Sequence, residues 1–369
     1  MGKALAKKVV KAVYFVPTLE IGGAERQLLA ICRALCHEES IIVLSKRKGD
    51  LRKEFTKAGL RQISLPSNSS AFSVGAVLVL LFLAIRHRRI ILESFLPIST
   101  FLSAVAKSLV PGKIILIGNR RSHLFYRTSR PLLSRIDRWS TSKCDFLVCN
   151  SDSVLEEAIR VDGVSSKLAS VIPNGVDASI QVFSKRTQRR PLILHVANHH
   201  KYKKTNTLLE SLAASDLLRT VEVHMFGLGE ETEVLRKFVQ HFELDLVTFH
   251  GQVEDPWSVS APGDIYVHTS ETEGFSNSVL EAMAHGLVPV VTDIESNRYV
   301  AGNVAEYFSV GNDLQLRKLL EQLIHDSKRR IKIGQAGFTR VQKKFSISSA
   351  TKKRMELHHS LWSRRTPLR

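Results

Sequence analysis

The stretch SETEGFSNSVLEAMAHGLVPVV, Ser270–Val291, shows the pattern on which the whole chain is built. It begins as a polar segment, continues into a short apolar helix, meets Gly286 and ends in the apolar run Leu287–Val291. Gly286 is suited to end the helix in left-handed geometry, and Pro289 prevents the helix from extending. A helix followed at once by a short, continuously apolar strand fits a parallel sheet covered on both faces. The stretch also carries two glutamates eight residues apart, Glu273 and Glu281, and contains no lysine or arginine to neutralise them.

The same alternation runs outward in both directions. Toward the N-terminus, strands are expected at Val9–Val16, Ile41–Leu44, Ile90–Leu92, Lys113–Ile117 and Phe146–Cys149. Between them lie helical patterns at Arg26–Leu35, Ala71–Ile85, near Ser99–Ser108 and at Ser151–Arg160. The polar run Ser184–Pro191 reads as a linker, after which the pattern restarts. Strands follow at Leu192–Val196, Val221–Phe226, Val247–His250 and Ile265–Val267, with helices at Thr207–Ala214 and Glu230–Phe242. The expected fold is α/β: two Rossmann-like, doubly wound domains, residues 1–183 and 184–349, with a cleft between them. The tail from about residue 350 to 369 is expected to cross back as a helix onto the first domain. Ligands of such sheets sit beyond the carboxyl ends of the strands, where the glycine turns of this chain also fall.

Composition narrows the function classes. The chain has 369 residues and a formal net charge of +18. Residues 1–183 carry 27 Lys and Arg against 14 Asp and Glu, and residues 184–327 carry 13 against 20. Residues 328–369 carry 13 against one. A uniformly basic protein would point to nucleic acid; a basic, acidic, basic division instead suits an anionic membrane surface under one lobe. The four cysteines form no Cys-x-x-Cys pair and read as reduced core thiols. The N-terminus lacks the pattern of a signal peptide. Ala71–Ile85 is too short to span a bilayer, so a buried helix is expected, with a helix lying in the membrane interface as the alternative.

The head of the helix in the opening stretch is a place for an anion. Its first amides are unsatisfied and its dipole is positive there, so a diphosphate is a natural guest, and Gly274 lets a ligand approach the backbone. The competing reading makes Ser278-x-x-Glu281 a capping box and Glu273 a complement to the dipole. Other pieces weigh on the choice: GGAERQLL at Gly22–Leu29, VIPNGVD at Val171–Asp177, FGLGEETEVLRKF at Phe226–Phe238 and VTFHGQVED at Val247–Asp255. Together with Glu-x7-Glu they closely resemble glycosyltransferase family 4, from about Val9 to Phe345.

That resemblance implies retaining nucleotide-sugar transferases of GT-B fold. It places Glu273 beside the donor sugar and Glu281 on the ribose hydroxyls. The backbone of Gly274, Phe275, Ser276 and Asn277 would hold the sugar, and the amides of Ser278 and Val279 the phosphate. Lys204 fits the family's diphosphate lysine. At the family's arginine position stands Asn198, or His199, a departure that Lys201, Lys203 or a protonated His would have to offset. Relatives often have Gly-Gly where Glu295-Ser296 stands, a second departure. Gly22 and Gly23 would face the donor phosphates, and Val253 is a candidate wall for the base. The polar residue of the catalytic centre after the strand Lys113–Ile117 is contested by Asn119, Arg120 and His123, with Arg120 preferred.

The resulting expectation is a metal-independent, retaining hexosyltransferase with a UDP- or GDP-linked sugar donor and no cofactor. Its acceptor would be a glycan or a lipid-linked glycan of surface polysaccharide or lipopolysaccharide. It would work in the cytoplasm, peripherally on the inner face of the cell membrane, and bind no nucleic acid. Rival expectations are a degenerate GT-B binding partner and a nucleotide-sugar epimerase.

Overall fold

The computed structural model describes residues 11–122, 130–177 and 190–363. The chain divides into two units, Met1–Gly175 with Ile347–Arg369, and Val176–Ser346. The first junction falls at Gly175, upstream of the polar run expected as the linker. Val176 already belongs to the second unit, because its amide donates to the Phe345 carbonyl at 3.0 Å and it bridges Ser346. Most of the expected linker, up to residue 189, lies outside the described residues.

In the first unit the chain runs β1 (Lys11–Phe15), α1 (Gly23–Leu35), β2 (Ser40–Lys46), α2 (Arg52–Lys57), β3 (Arg61–Leu65), α3 (Ser69–Arg86), β4 (Ile90–Phe95), α4 (Pro97–Leu109), β5 (Ile114–Arg120), α5 (Pro131–Ser142), β6 (Phe146–Cys149), α6 (Asp152–Asp162) and β7 (Ala169–Val171). The strands order 3-2-1-4-5-6-7, with every pairing parallel. The second unit runs β8 (Ile193–Val196), α7 (Asn206–Ala213), α8 (Asp216–Arg219), β9 (Val223–Phe226), α9 (Thr232–His241), β10 (Val247–Gly251), β11 (Ile265–His268), α10 (Asn277–Ala284), β12 (Val288–Thr292), α11 (Glu295–Ala301), β13 (Glu306–Phe308), α12 (Asp313–His325) and α13 (Ser327–Lys344). Its strands order 10-9-8-11-12-13, again parallel. The last helix, α14 (Ile347–Ser363), belongs to the first unit.

Strand alternation explains the cores. Side chains along a strand point to opposite faces. Val13 and Phe15 of β1 therefore join Phe72, Ala76, Leu80 and Leu83 of α3 in one cluster. Ala12 and Tyr14 join Leu28, Ile31 and Leu35 of α1 in another. The second unit repeats this, with Ile193, Ile265 and Val290 on one face and Leu194, Tyr266 and Val291 on the other. The run read as a buried helix, Ala71–Ile85, is longer and less buried than expected. Asn68 caps it by accepting from the amides of Ser70 and Ala71, so the helix begins at Ser69 and runs to Arg86. Only one face is covered. The cysteines are free, and burial pushes the thiols of Cys144 and Cys149 up to about 12.

What fixes α14 to the first sheet is a buried ionic cluster. Glu93 lies mid-sheet in β4 and is fully buried. Arg354 donates to its Oε2, and His358 Nε2 lies 2.6 Å from its Oε1. His358 Nδ1 lies 2.8 Å from Glu39 Oε1, and Asn119 Nδ2 donates to Glu93 at 2.9 Å. Burial alone would discharge these groups. Against that burial, Arg354 and His358 hold the Glu93 carboxyl down at about 2. Burial likewise opposes the charge on His358, but hydrogen bonds to Glu39 and Glu93 push it up to about 9.

The stabilisation from charged His358 is complete below its ordinary value of 6.5 and is lost as the pH rises through about 9. The advantage of wild type over His358→Gln in thermal midpoint should therefore shrink steadily across that interval, as followed by circular dichroism. In Arg354→Met the loss of one partner of a buried pair should cost about 3 kcal/mol or more in urea unfolding at neutral pH.

Candidate active site

The second unit gathers its polar side chains at the carboxyl ends of β8, β11 and β12. β11 ends at His268, and the chain continues through Thr269 and Ser270, all three buried. The Thr292 hydroxyl donates to the Ser270 carbonyl at 2.6 Å, and the Thr269 hydroxyl to the Lys203 carbonyl at 2.6 Å. The Glu271 amide donates to the Tyr202 carbonyl at 2.9 Å. These bonds tie the loop before α10 to β12 and to the loop after β8.

Glu273 lies at that junction. Lys203 Nζ donates to its Oε1, the Ser270 hydroxyl donates to the same oxygen at 3.0 Å, and His268 Nε2 stands 3.3 Å away. Asn297 Nδ2 faces His268 Nδ1 at 3.3 Å, so the ring proton belongs on Nε2, toward Glu273. Burial keeps His268 below the ordinary histidine range, and so neutral. Burial also disfavours ionised Glu273, but the His268 hydrogen bond and the Lys203 charge outweigh it and hold the carboxyl at about 2. Glu273 is thus an ionised carboxylate that remains charged at any physiological pH.

The helix α10 starts with Asn277, and its N-cap is Ser276 rather than Ser278, so the capping box does not form. The Ser276 hydroxyl turns away from the helix, donating to Asn297 Oδ1 at 2.5 Å and reaching Ser296 Oγ at 3.3 Å. No side chain of the N-cap occupies the helix head, which leaves its dipole directed at whatever binds there. Glu281, one turn on, accepts from Trp257 Nε1 at 3.0 Å. Phe275 is buried edge-on against Tyr299 and Phe345, and Gly274 is buried beside it. Gly286 takes the left-handed conformation at φ 70, as its place after the helix predicts.

Lys204 adopts a left-handed backbone, with its Nζ 3.4 Å from Glu271 Oε2, and both side chains are about two-fifths exposed. It is Lys203, not Lys204, that meets Glu273. Asn198 is exposed. His199 cannot supply the missing cation: it is fully buried, its Nδ1 pairs with Thr232 at 3.0 Å, and burial with nearby Arg236 pushes it down to about 4. Its backbone is pressed by Gly229, where a Cβ would come within 2.4 Å of the His199 carbonyl. Val253 packs, half-buried, against the core of this unit.

In the first unit, Gly22 caps α1 in extended geometry and Gly23 opens it. A Cβ on Gly22 would lie 2.5 Å from Glu25 Oε2, so the glycine lets that carboxylate fold back beneath the turn. Arg120 is directed into the unit. Its guanidinium is buried, paired with Asp162 and bonded to Thr141 at 3.1 Å. The next residue, Arg121, lies just past the strand's carboxyl end. It donates to Asn174, sits 5.6 Å over the Phe95 ring, and leaves its buried Nε without a partner. Burial and the neighbouring Arg354 push its guanidinium down to about 9. His123 lies outside the described residues.

Sequence reasoning missed His268, Asn297, Trp257 and Arg121. The first had a signal: a histidine closing an apolar strand sits where such sheets bind ligands. The others are brought in by tertiary contacts alone. Replacing Lys203 by Met should raise the Glu273 carboxyl from about 2 toward its ordinary 4.5, read by carboxyl-carbon NMR titration of the folded protein. An unmoved titration would show that His268 alone sets the charge.

Two family descriptions match, Glycosyltransferase Family 4 over residues 21–180 and Glycosyl transferases group 1 over residues 178–340. The lipopolysaccharide core biosynthesis glycosyltransferase LpsE of Rhizobium meliloti is 25% identical over 58% of this chain and 64% of its own. The N-acetyl-alpha-D-glucosaminyl L-malate synthase of Bacillus anthracis is 21% identical over 59% of this chain and 60% of its own length. The chain thus spans under two thirds of these relatives. Among solved structures, Anabaena HepE in complex with UDP-glucose superposes with a TM-score of 0.82 at 16% identity, covering 95% of this chain and 99% of that one. With both halves matched in order, on two parallel doubly wound sheets, the chain belongs to glycosyltransferase family 4 and has the GT-B fold.

Proposed function

We propose that this protein is a retaining glycosyltransferase that moves a hexosyl group from a nucleoside diphosphate sugar to a hydroxyl of a glycan or lipid-linked glycan. The observation that carries the reading is Glu273, an ionised carboxylate at the head of α10, with Glu281 eight residues further along the same segment. Similar structures bind UDP and UDP-glucose, which supports a UDP-linked donor here. The role of LpsE in lipopolysaccharide core biosynthesis supports a surface-glycan acceptor and work at the cytoplasmic face of a membrane.

In this reading Glu281, oriented by Trp257, accepts the ribose hydroxyls. The amides of Ser278 and Val279 take the diphosphate. The sugar C1–O bond to the diphosphate breaks and the acceptor oxygen bonds to C1 on the same face. The acceptor proton passes to the departing diphosphate oxygen. Charge developing on that oxygen is met by the α10 dipole and by Lys203 or Lys204, groups already in place before reaction. Glu273 supports the positive charge growing at the sugar carbon and forms no covalent bond. The protein supplies this stabilisation with its own side chains and no resident metal.

The test is a thermal-shift panel of UDP, GDP, ADP and their common sugar conjugates. A ligand at 100 times its dissociation constant should stabilise the wild type by about 2.7 kcal/mol. Trp257→Phe should weaken the same ligand by about 1.5–3 kcal/mol, the range for a hydrogen bond to a charged group. Glu273→Gln should still bind the nucleotide but lose transfer in a product assay. Absence of any shift would overturn the donor site, and turnover of donor without acceptor would indicate an epimerase.

A further inference from the structure

The exposed face of α3 serves no purpose within the fold. Phe72, Ala76, Leu80, Leu83 and Ala84 cover the sheet, while Val74, Leu78, Phe82 and Ile85 point outward, 57–61% exposed. The spacing is i, i+4, i+8 and i+11, one continuous stripe along about 16 Å of helix. By length and composition α3 could cross a membrane, with a mean hydropathy of 2.0 over 18 residues. It is not free to do so, because its inner face is part of the core. A helix fixed along one side and apolar along the other can lie on a bilayer but cannot span it.

The charge around the stripe selects the occupant. From Phe55 to Ser142, the segment that supplies α3, α4 and α5, there are thirteen lysines and arginines and two carboxylates, Glu93 and Asp137. Both are buried, and Glu93 is already neutralised by its ionic partners. At the end of the stripe, Lys11 bonds His87 Nδ1 at 2.8 Å, and burial together with Lys11, Arg86 and Arg61 holds that histidine below its ordinary range. Lys46 sits 4.9 Å over the Phe72 ring at the other end. A second copy of this chain would bring the same cations face to face. A surface of anionic lipid headgroups over acyl chains matches both features at once.

We propose that the Val74–Leu78–Phe82–Ile85 face of α3, flanked by Arg86 and Arg88, docks the first unit onto an anionic lipid bilayer, with α3 lying in the plane of the interface. This rests on the membrane-side acceptor of the proposed function, but neither donor nor acceptor is needed to observe it. The apolar side chains enter the headgroup boundary and the cations meet the phosphates, so binding should require both.

The test is sedimentation of the full chain with vesicles of phosphatidylcholine alone or containing one third phosphatidylglycerol. Wild type should bind the anionic vesicles at least tenfold more tightly than the neutral ones, and lose most of that advantage in high salt. The double variant Leu78→Asp/Phe82→Asp should weaken anionic binding at least tenfold. Its circular dichroism and its nucleotide thermal shift should be unchanged, because both side chains are exposed. Arg86→Ala/Arg88→Ala should weaken anionic binding severalfold and leave neutral binding unaffected. Unchanged binding by the aspartate variant, or no binding by wild type, would overturn the proposal. So would a dimer in sedimentation velocity that the aspartate variant converts to monomer, since a second copy would then own the stripe. A missing nucleotide shift alongside intact vesicle binding would sink the donor reading and leave this one standing.

Discussion

A parallel sheet sends every strand's carboxyl end to the same edge, and this protein depends on that constraint twice. In the second unit it brings the loops after β8, β11 and β12 together, so that Lys203, His268, Ser270 and Asn297 converge although up to 94 positions separate them in the chain. In the first unit the same geometry sets the turn Gly22–Gly23 and Arg121 at strand ends. Neither group of residues shares a local motif. Each is assembled because every crossover between parallel strands returns the chain to start the next strand at the same end of the sheet.

The two buried carboxylates illustrate how burial is made compatible with charge. Glu93 and Glu273 both lie where desolvation favours the neutral acid, and both are held near 2 by a histidine and a cation. Their histidines differ. His358 lies between two carboxylates and is charged, so it acts as an ionic link from α14 to the sheet. His268 faces one carboxylate and stays neutral, so it donates a hydrogen bond and leaves the charge of Glu273 to be offset by Lys203. The first arrangement suits permanent fastening. The second leaves a carboxylate able to respond to positive charge arising nearby, which a sugar losing its leaving group would provide.

Arg120 and Arg121 show how one residue changes a role. Successive side chains of β5 point to opposite sides. Arg120 is directed toward Asp162 and Thr141 within the unit, while Arg121, just past the strand, turns toward Phe95 and Asn174. Sequence position could not separate them, since both lie at the end of the same apolar run.

The alternation of strands and helices, and with it the two doubly wound sheets, can be read from the apolar pattern of the chain. Continuous apolar runs can be satisfied only by burial on both faces, and that physics is local enough to read from one chain. The glutamate pair is legible in the same way, because the spacing is held within a single turn and helix. The edge strand β3 and the short β13 escaped notice, since Arg61 and Glu306 dilute their apolar pattern. Long-range packing sets which lysine meets Glu273, that Trp257 holds Glu281, that His199 is an uncharged core residue and that half of α3 faces outward. Each of these depends on groups distant in the chain, and a side chain's charge and exposure are set by what packs against it.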